Sequence, residues 1–354
     1  MENERPTPTL DDMTATKAKL EAWFSRRRGQ DIRIPTLDIP EATGMSNVTL
    51  LFNIEWECDG QHHCEPCVGR LQPEIDRPVF PTYDFNLQYQ VMERLGQHSD
   101  IPVPELLGLE TDLSVLGVQF YIMKRVDGRI PPDMPPYNMD GWMMNEASAA
   151  ARVTLWNSAV DTMARFHRLD YRQLGFSDLE QPGKTPLQQQ LDYWQSYLHW
   201  AMEGGQHTIG QQALDWLNAN QPKDEPTVLC WGDSRLGNII FKESMDGVAT
   251  VLDWEMAVLG NPVQDLAWFN YIDTTFAEGL GIPRLEGLPS YQDTLKRWEQ
   301  HSGFSGHDYD YYHIFAGMRY GLLLSRVMLA TGQDSEVQGN FACTLLEKYL
   351  RKVS

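Results

Sequence analysis

The residues with the clearest chemical potential lie between Val228 and Phe269. Two short apolar, β-rich runs, Thr227–Cys230 and Thr250–Leu252, each deliver a carboxylate just past their ends, Asp233 and Asp253. Asn238 follows Asp233 by five residues and opens a further apolar run, Ile239–Phe241. That layout suits phosphoryl transfer. One carboxylate can accept or orient the proton of a hydroxyl nucleophile, while the second and an amide oxygen are hard ligands of the kind Mg2+ prefers. Either aspartate alone reads equally well as a turn or cap residue, because Asp is common after strands. The company of Gly232, Gly237 and Asp265, twelve residues past Asp253, favours chemistry. Nothing in the pattern names the acceptor.

A site of this kind needs a frame, and the composition bounds it. With 354 residues the chain has length for two domains or lobes and a substantial core. Apolar residues make up 42% and charged residues 22%, the balance of an ordinary globular protein. A net charge of −20 argues against nucleic acid as a partner, since nothing offsets phosphate repulsion. No apolar stretch approaches a membrane-spanning length, and the N-terminal residues have no apolar signal core. Five cysteines, an odd number without a secretion signal, fit a reducing cytoplasm.

Along the chain, Leu20, Trp23 and Phe24 recur at helical spacing and predict a helix over Asp11–Arg28, with Arg26–Arg28 suited to its C-terminal dipole and Gly29 as its stop. From Asp31 to Leu71 the pattern turns to strands around the small, polar turn Thr43-Gly44-Met45-Ser46-Asn47. Backbone N–H groups at Gly44, Ser46 and Asn47 could approach a nucleotide phosphate, although an ordinary hairpin turn reads the same. The next strand carries Arg70, a candidate cation for those phosphates; an exposed strand-edge arginine is the alternative. A helix over Tyr83–Leu95 follows, with Asp84 and Gln88 four residues apart on one face. The strand Gly117–Gly128 passes towards a Pro-rich segment, Ile130–Tyr137, which marks a lobe boundary. Residues Met123, Lys124 and Val126 on that passage could offer backbone groups to an adenine edge. Beyond it the chain reads as helical, with Trp156, Val160, Met163 and Phe166 as core.

Two patterns invite other readings. Gly183-Lys184-Thr185 lacks the glycine and the preceding strand of a phosphate-binding loop. Cys58, His62, His63, Cys64 and Cys67 contain one Cys-x-x-Cys pair, yet they fall around an expected hairpin loop, Asp59–Pro66, where free thiols are the simpler expectation.

Taken together, ATGMSNVTLLF, IPVPELLGLETDLSVLGVQFYIMKRVDGRI, FHRLD, WGDSRLGNIIF and VLDWEMAVLGNPVQDLAW resemble the aminoglycoside phosphotransferase family, in its acyl-CoA-dehydrogenase-associated and mycobacterial-type branch. The resemblance runs from about Glu41 to Leu350. It implies an α+β, bilobal protein-kinase-like fold: a small, mostly antiparallel β N-lobe over residues 1–128 and a larger, mostly helical C-lobe over 129–354. It implies transfer of the ATP γ-phosphate to the hydroxyl of a small molecule, with Mg2+. Residue by residue it suggests Asp233 as catalytic base, Asn238 and Asp253 as magnesium ligands, Arg70 as the phosphate-contacting cation and Asp265 as the brace of the catalytic loop. Trp231 stands where the family has a His, and Gln88 where it has a helix Glu. The Gln88 departure, with the absent glycine-rich fingerprint, supports a second expectation, a kinase-like protein that binds a nucleotide or metabolite without turnover.

Overall fold

Period-two alternation builds the N-terminal third. The computed structural model describes residues 12–40, 47–72, 77–333, 337 and 339–353. Val48, Leu50, Phe52 and Ile54 on β2 (Val48–Cys58) point to one face, and β2 pairs antiparallel with β3 (Gln61–Leu71) through the two-residue turn Asp59–Gly60. Both turn residues have positive φ, 52° and 74°, which an Asp-Gly hairpin accommodates. The expected loop over Asp59–Pro66 is therefore strand: the polar residues there cover an exposed face. Cys64 and Cys67, three apart on β3, consequently face opposite ways, the first exposed and the second buried.

Three more strands, β1 (Leu37–Asp38), β4 (Leu106–Glu110) and β5 (Phe120–Lys124), complete a five-stranded sheet in the order β1-β2-β3-β5-β4, antiparallel throughout. Its two faces serve two cores. Helix α1 (Met13–Arg28), capped by Asp12 and stopped by Gly29 at φ 68°, buries Leu20, Trp23 and Phe24 against Leu50, Phe52, Ile54 and Ile122. Arg27 and Arg28 do more than answer the helix dipole, because their guanidinium groups lie 4.5 and 4.7 Å from the ring centres of Trp23 and Trp56. On the other face, α2 (Phe85–His98) packs Phe85 against Tyr121, and this core runs on into the rest of the molecule.

The remaining chain is mostly helical. After the single turns α3 (Leu113–Leu116) and α4 (Trp142–Asn145) come α5 (Ala149–His167), α6 (Pro186–Ala201), α7 (Thr208–Ala219), α8 (Val263–Thr275), α9 (Tyr291–Ser302), α10 (Tyr309–Ala330) and α11 (Phe341–Val353). Every residue of α8 is buried, so it forms the axis of the lobe. Between α7 and α8 lie two short antiparallel pairs, β6 (Val228–Cys230) with β9 (Val258–Gly260), and β7 (Ile239–Phe241) with β8 (Val248–Val251). The architecture is α+β, with a sheet-rich and a helix-rich lobe. A backbone hydrogen bond joins them where Val251 N–H donates to Pro102 O at 2.8 Å, and at the entry to the helix-rich lobe Arg129 and Phe241 exchange N–H···O bonds of 2.8 and 2.9 Å.

Candidate active site

Strand β6 ends at Cys230, and the chain must then turn sharply to present Asp233. Gly232 makes the turn at φ 86°, where a Cβ would lie 1.9 Å from the carbonyl oxygen of Met256, so no other residue passes. Asp265, in the first turn of α8, receives the loop. Its carboxylate accepts from the backbone N–H of Trp231 at 2.6 Å and of Gly232 at 2.9 Å. The hydroxyl of Ser234 donates to the Asp265 carbonyl at 2.6 Å. The last ligand of Asp265 is His167, 3.0 Å away through Nε2. Because the indole of Trp298 donates to His167 Nδ1, the imidazole proton is assigned to Nε2, facing the carboxylate. His167 is structural, as its helix-end position suggests, but its partner comes from 98 residues away and not from its neighbours.

Asp233 stands in a cage of donors. Trp268 Nε1–H reaches Oδ1 at 2.9 Å, while Arg235 Nε–H and Asn238 Nδ2–H reach Oδ2 at 2.9 and 2.7 Å. Arg235 is itself held by Asp133, whose carboxylate pairs with its Nη1. Burial lowers the proton affinity of this guanidinium, but Asp233 and Asp133 outweigh it and hold the pKa above the ordinary value. Since Asn238 turns its NH2 towards Asp233, also donating to the Asp233 carbonyl at 3.0 Å, its amide oxygen points elsewhere. Leu252 N–H donates to Asn238 O at 2.9 Å, and this extension of the β7–β8 ladder brings Asn238 and Asp253 together.

Asp253 adopts φ 59°, a left-handed conformation costly for a non-glycine residue. Trp231 staples it down: the indole N–H is shared between the carbonyls of Leu252 and Asp253, at 2.9 Å each. That is what Trp231 supplies in the place of a His. Burial raises the Asp253 pKa and nearby Asp233 adds to the rise, against the opposing pull of Arg70 and Arg235. Its Oδ1 is buried without a hydrogen-bond partner among the described residues. An orphaned buried carboxylate oxygen and an amide oxygen turned away from Asp233 are hard oxygen donors of the kind that fits Mg2+.

Across the cleft, Arg70 corrects the strand-edge alternative. Strand β3 is interior to the sheet, and Arg70 donates from Nη1 to Thr49 Oγ1 at 2.8 Å. Burial lowers its pKa, yet Tyr121, Asp253 and Glu255 together raise it above the ordinary value, which places the guanidinium in the field of the Asp253 carboxylate. Tyr121, opposite Arg70 in the ladder, hydrogen-bonds Arg70 and donates its own O–H to Gln88 Oε1 at 3.3 Å. Asp84 is no partner for the cation: it caps α2, accepting from Leu87 N–H at 2.9 Å. Asn47 immediately precedes β2 and is buried, while Gly44 and Ser46 lie outside the described residues. On the passage between lobes, Lys124 N–H and Arg125 N–H donate to Glu105 O and Pro66 O, and the Lys124 ammonium pairs with Glu105 at 2.8 Å.

The structure thus gathers Asp233, Asn238 and Asp253, with Arg70 close to Asp253 from the sheet and Asp265 buried beneath the loop as its brace. Spacing did not announce Arg235, Asp133, Trp268, Tyr121 or Arg319, whose Nη2 donates to Gly232 O at 2.8 Å.

Comparison with known proteins bears on the family and the fold. Residues 82–296 match the phosphotransferase enzyme family, APH. Acyl-CoA dehydrogenase family member 11 of Homo sapiens is 29% identical over 271 residues, which cover 71% of this chain and 33% of that protein. Its Gallus gallus counterpart is 33% identical over 201 residues, covering 56% and 24% respectively. The chain therefore spans a third or less of the length of these relatives. Among solved structures, a candidate aminoglycoside phosphotransferase from Ralstonia eutropha superposes with a TM-score of 0.70 at 25% identity, covering 95% of this chain and 98% of that one. A thermostable aminoglycoside phosphotransferase APH(4)-Ia variant in complex with ADP and hygromycin B gives 0.58 at 15% identity, covering 94% and 98%. Plasmodium vivax ethanolamine kinase gives 0.58 at 13%, covering 89% and 81%. These last two likenesses show the fold, which is that of the kinase-like phosphotransferases. With over half of its length matched, the chain belongs to the APH family of phosphotransferase enzymes.

Proposed function

We propose that this protein transfers the γ-phosphate of ATP to a hydroxyl of a small molecule, binding the nucleotide between the β-sheet and the loops that carry Asp233 and Asp253. The observation that carries the reading is the contrast between those two carboxylates. Asp233 has both oxygens engaged by N–H donors, whereas Asp253 keeps one buried oxygen with no partner among the described residues. A carboxylate offers about four acceptor positions, and three donors leave Asp233 about one for a substrate O–H. Asp233 then orients the hydroxyl and takes its proton as the new P–O bond forms and ADP leaves with the electrons of the old one. Asn238 and Asp253 would hold Mg2+, which when bound supplies charge neutralisation for the phosphates. Arg70 would face the same phosphates from the sheet. Backbone groups of Met123, Lys124 and Val126 on the inter-lobe passage would meet an adenine edge, although the N–H of Lys124 is already given to Glu105 O. The division between a nucleotide lobe, 1–128, and an acceptor lobe, 129–354, falls at Gly128, where a Cβ would lie 2.3 Å from Phe241 O.

The acceptor panel is aminoglycosides and amino alcohols, after the hygromycin B and ethanolamine kinase neighbours, and hydroxyacyl compounds, after the family resemblance. Calorimetry of Mg-ATP binding beside ADP release over that panel tests the reading. Asp233→Ala should keep Mg-ATP affinity and lose about 10²- to 10⁴-fold in turnover. Asp253→Ala should lose metal-dependent nucleotide binding as well. Normal turnover in Asp233→Ala, or loss of Mg-ATP binding with it, would sink the assignment. A second reading, binding without turnover, draws on Gln88, which gives Arg70 no helix carboxylate. Tight Mg-ATP binding with no ADP release across the panel would favour it.

A further inference from the structure

Helix α10 passes beneath the catalytic loop carrying two buried arginines, Arg319 and Arg326, and the two are used differently. Arg326 is a satisfied scaffold residue: Nε donates to Pro78 O and Nη1 to Glu203, both at 2.8 Å, and the guanidinium lies 4.6 Å from the Trp200 ring centre. Arg319 is 2% exposed, yet its Nε and Nη1 make no hydrogen bond among the described residues. It has one polar contact, the 2.8 Å bond to Gly232 O, and stacks 4.5 Å from the Trp268 ring centre with Trp194 and Phe315 at 5.4 Å. Burial pulls its pKa down to about 10. A buried cation with two idle donors is a poor way to fill space, and a hydrocarbon of similar size would cost the fold less.

What Arg319 does touch is the immediate surroundings of Asp233. Gly232 is the residue before Asp233, and as a glycine it would let the Gly232–Asp233 peptide plane rotate with little resistance. Asp265 holds the N–H of Gly232 and Arg319 holds its carbonyl. Trp268, under the guanidinium plane, gives its N–H to Asp233 Oδ1. We propose that Arg319 is a positioning residue for phosphoryl transfer, fixing both the peptide that precedes Asp233 and the indole that orients its carboxylate. The proposal rests on the reading of Asp233 as the group that faces the acceptor hydroxyl.

The test compares Arg319→Met, Arg319→Lys and Arg326→Met in the full chain. Arg319→Met should keep the wild-type melting temperature or exceed it, keep Mg-ATP affinity and the KM for ATP, and lose about 10- to 100-fold in kcat for ADP release, the scale of a small misplacement. Arg319→Lys, which can reach the carbonyl but cannot stack as a plate, should fall between the two, and it carries the test if the Met variant does not fold. Arg326→Met should melt earlier with kcat unchanged. A readout independent of turnover is the Trp268 indole N–H resonance in 15N-tryptophan-labelled protein, assigned by its loss in Trp268→Phe. It should shift or broaden in the Arg319 variants and stay in place in Arg326→Met. Wild type that binds Mg-ATP without turnover would end the transferase reading, while the indole resonance would still decide the role of Arg319. An unmoved resonance, or wild-type kcat in the Arg319 variants of an active enzyme, overturns the proposal.

Discussion

The two walls of the cleft are held by different means. On the helical side, Asp233 and its loop are tied to charged groups: Asp265 takes two backbone N–H groups and His167, Arg235 and Trp268 grip Asp233, and Arg319 closes the underside. On the sheet side, Arg70 is steadied by neutral oxygens, Thr49 Oγ1 and the Tyr121 hydroxyl, which leans on Gln88. Both walls use charge-assisted bonds, because the donor on the sheet side is a guanidinium, but only on the helical side do ionised groups hydrogen-bond each other, Arg235 with Asp233 and Asp133. On the proposed function, the wall that handles the proton is the one locked by ion pairs, and the wall that meets the nucleotide is steadied by hydroxyl partners.

Three outcomes would sharpen or break that contrast. The largest belongs to Asp265→Ala, which strands two buried backbone N–H groups and the His167 N–H. Bonds of this kind to a charged acceptor are worth about 1.5–3 kcal/mol each, so urea unfolding should show a loss of at least about 3 kcal/mol together with lost turnover. A loss under about 1 kcal/mol would mean the loop stands without its brace.

Next in size is the sheet side. Arg70→Ala should weaken Mg-ATP binding by about 10- to 30-fold, the worth of one charge-assisted contact, and Tyr121→Phe by only a few-fold. Equal effects from the two would show that the relay through Tyr121, and not the cation itself, sets nucleotide affinity. Because Arg70 lies beside Asp253 and also lowers its pKa, its removal should make Mg-ATP binding more sensitive to acid.

The smallest effect is a pH dependence. Burial, reinforced by Asp233, raises the Asp253 pKa, so the folded protein favours the protonated carboxyl. Its contribution to stability is fully present below the ordinary aspartate value and is lost as pH rises through the raised one. Metal-free Asp253→Asn should accordingly be more stable than wild type near neutral pH, by about 1 kcal/mol, and the advantage should vanish on acidification. Thermal melts with chelator across pH 4–8 measure it; a constant difference would remove Asp253 from the buried, metal-awaiting role.

Much of the helical wall was legible in the sequence because its chemistry is local. Asp233, Asn238 and Asp253 are bound to short strands whose apolar runs are visible, and the β7–β8 ladder converts their spacing directly into proximity. The supporting groups were hidden by distance along the chain: Asp133 meets Arg235 across 102 residues, and Arg319 meets Gly232 across 87. No periodicity encodes such meetings. On the sheet side, β3 was mistaken for loop up to Pro66 because its outward face is rich in His, Cys and Glu, although Asp59-Gly60 carries the two-residue hairpin signal. Strand β4 escaped notice behind Pro102 and Pro104, and Asp84, expected on a helix face with Gln88, proved to be the helix cap.

The bond from Val251 N–H to Pro102 O has a mechanical consequence. It fastens the strand that delivers Asp253 to the sheet-rich lobe, and Asp253 follows Val251 by only two residues. Relative displacement of two bodies is least where they are fastened. Any shift of the sheet against the helices would therefore move its far rim more than the neighbourhood of Asp253, much as the pin of a door stays put while its edge travels.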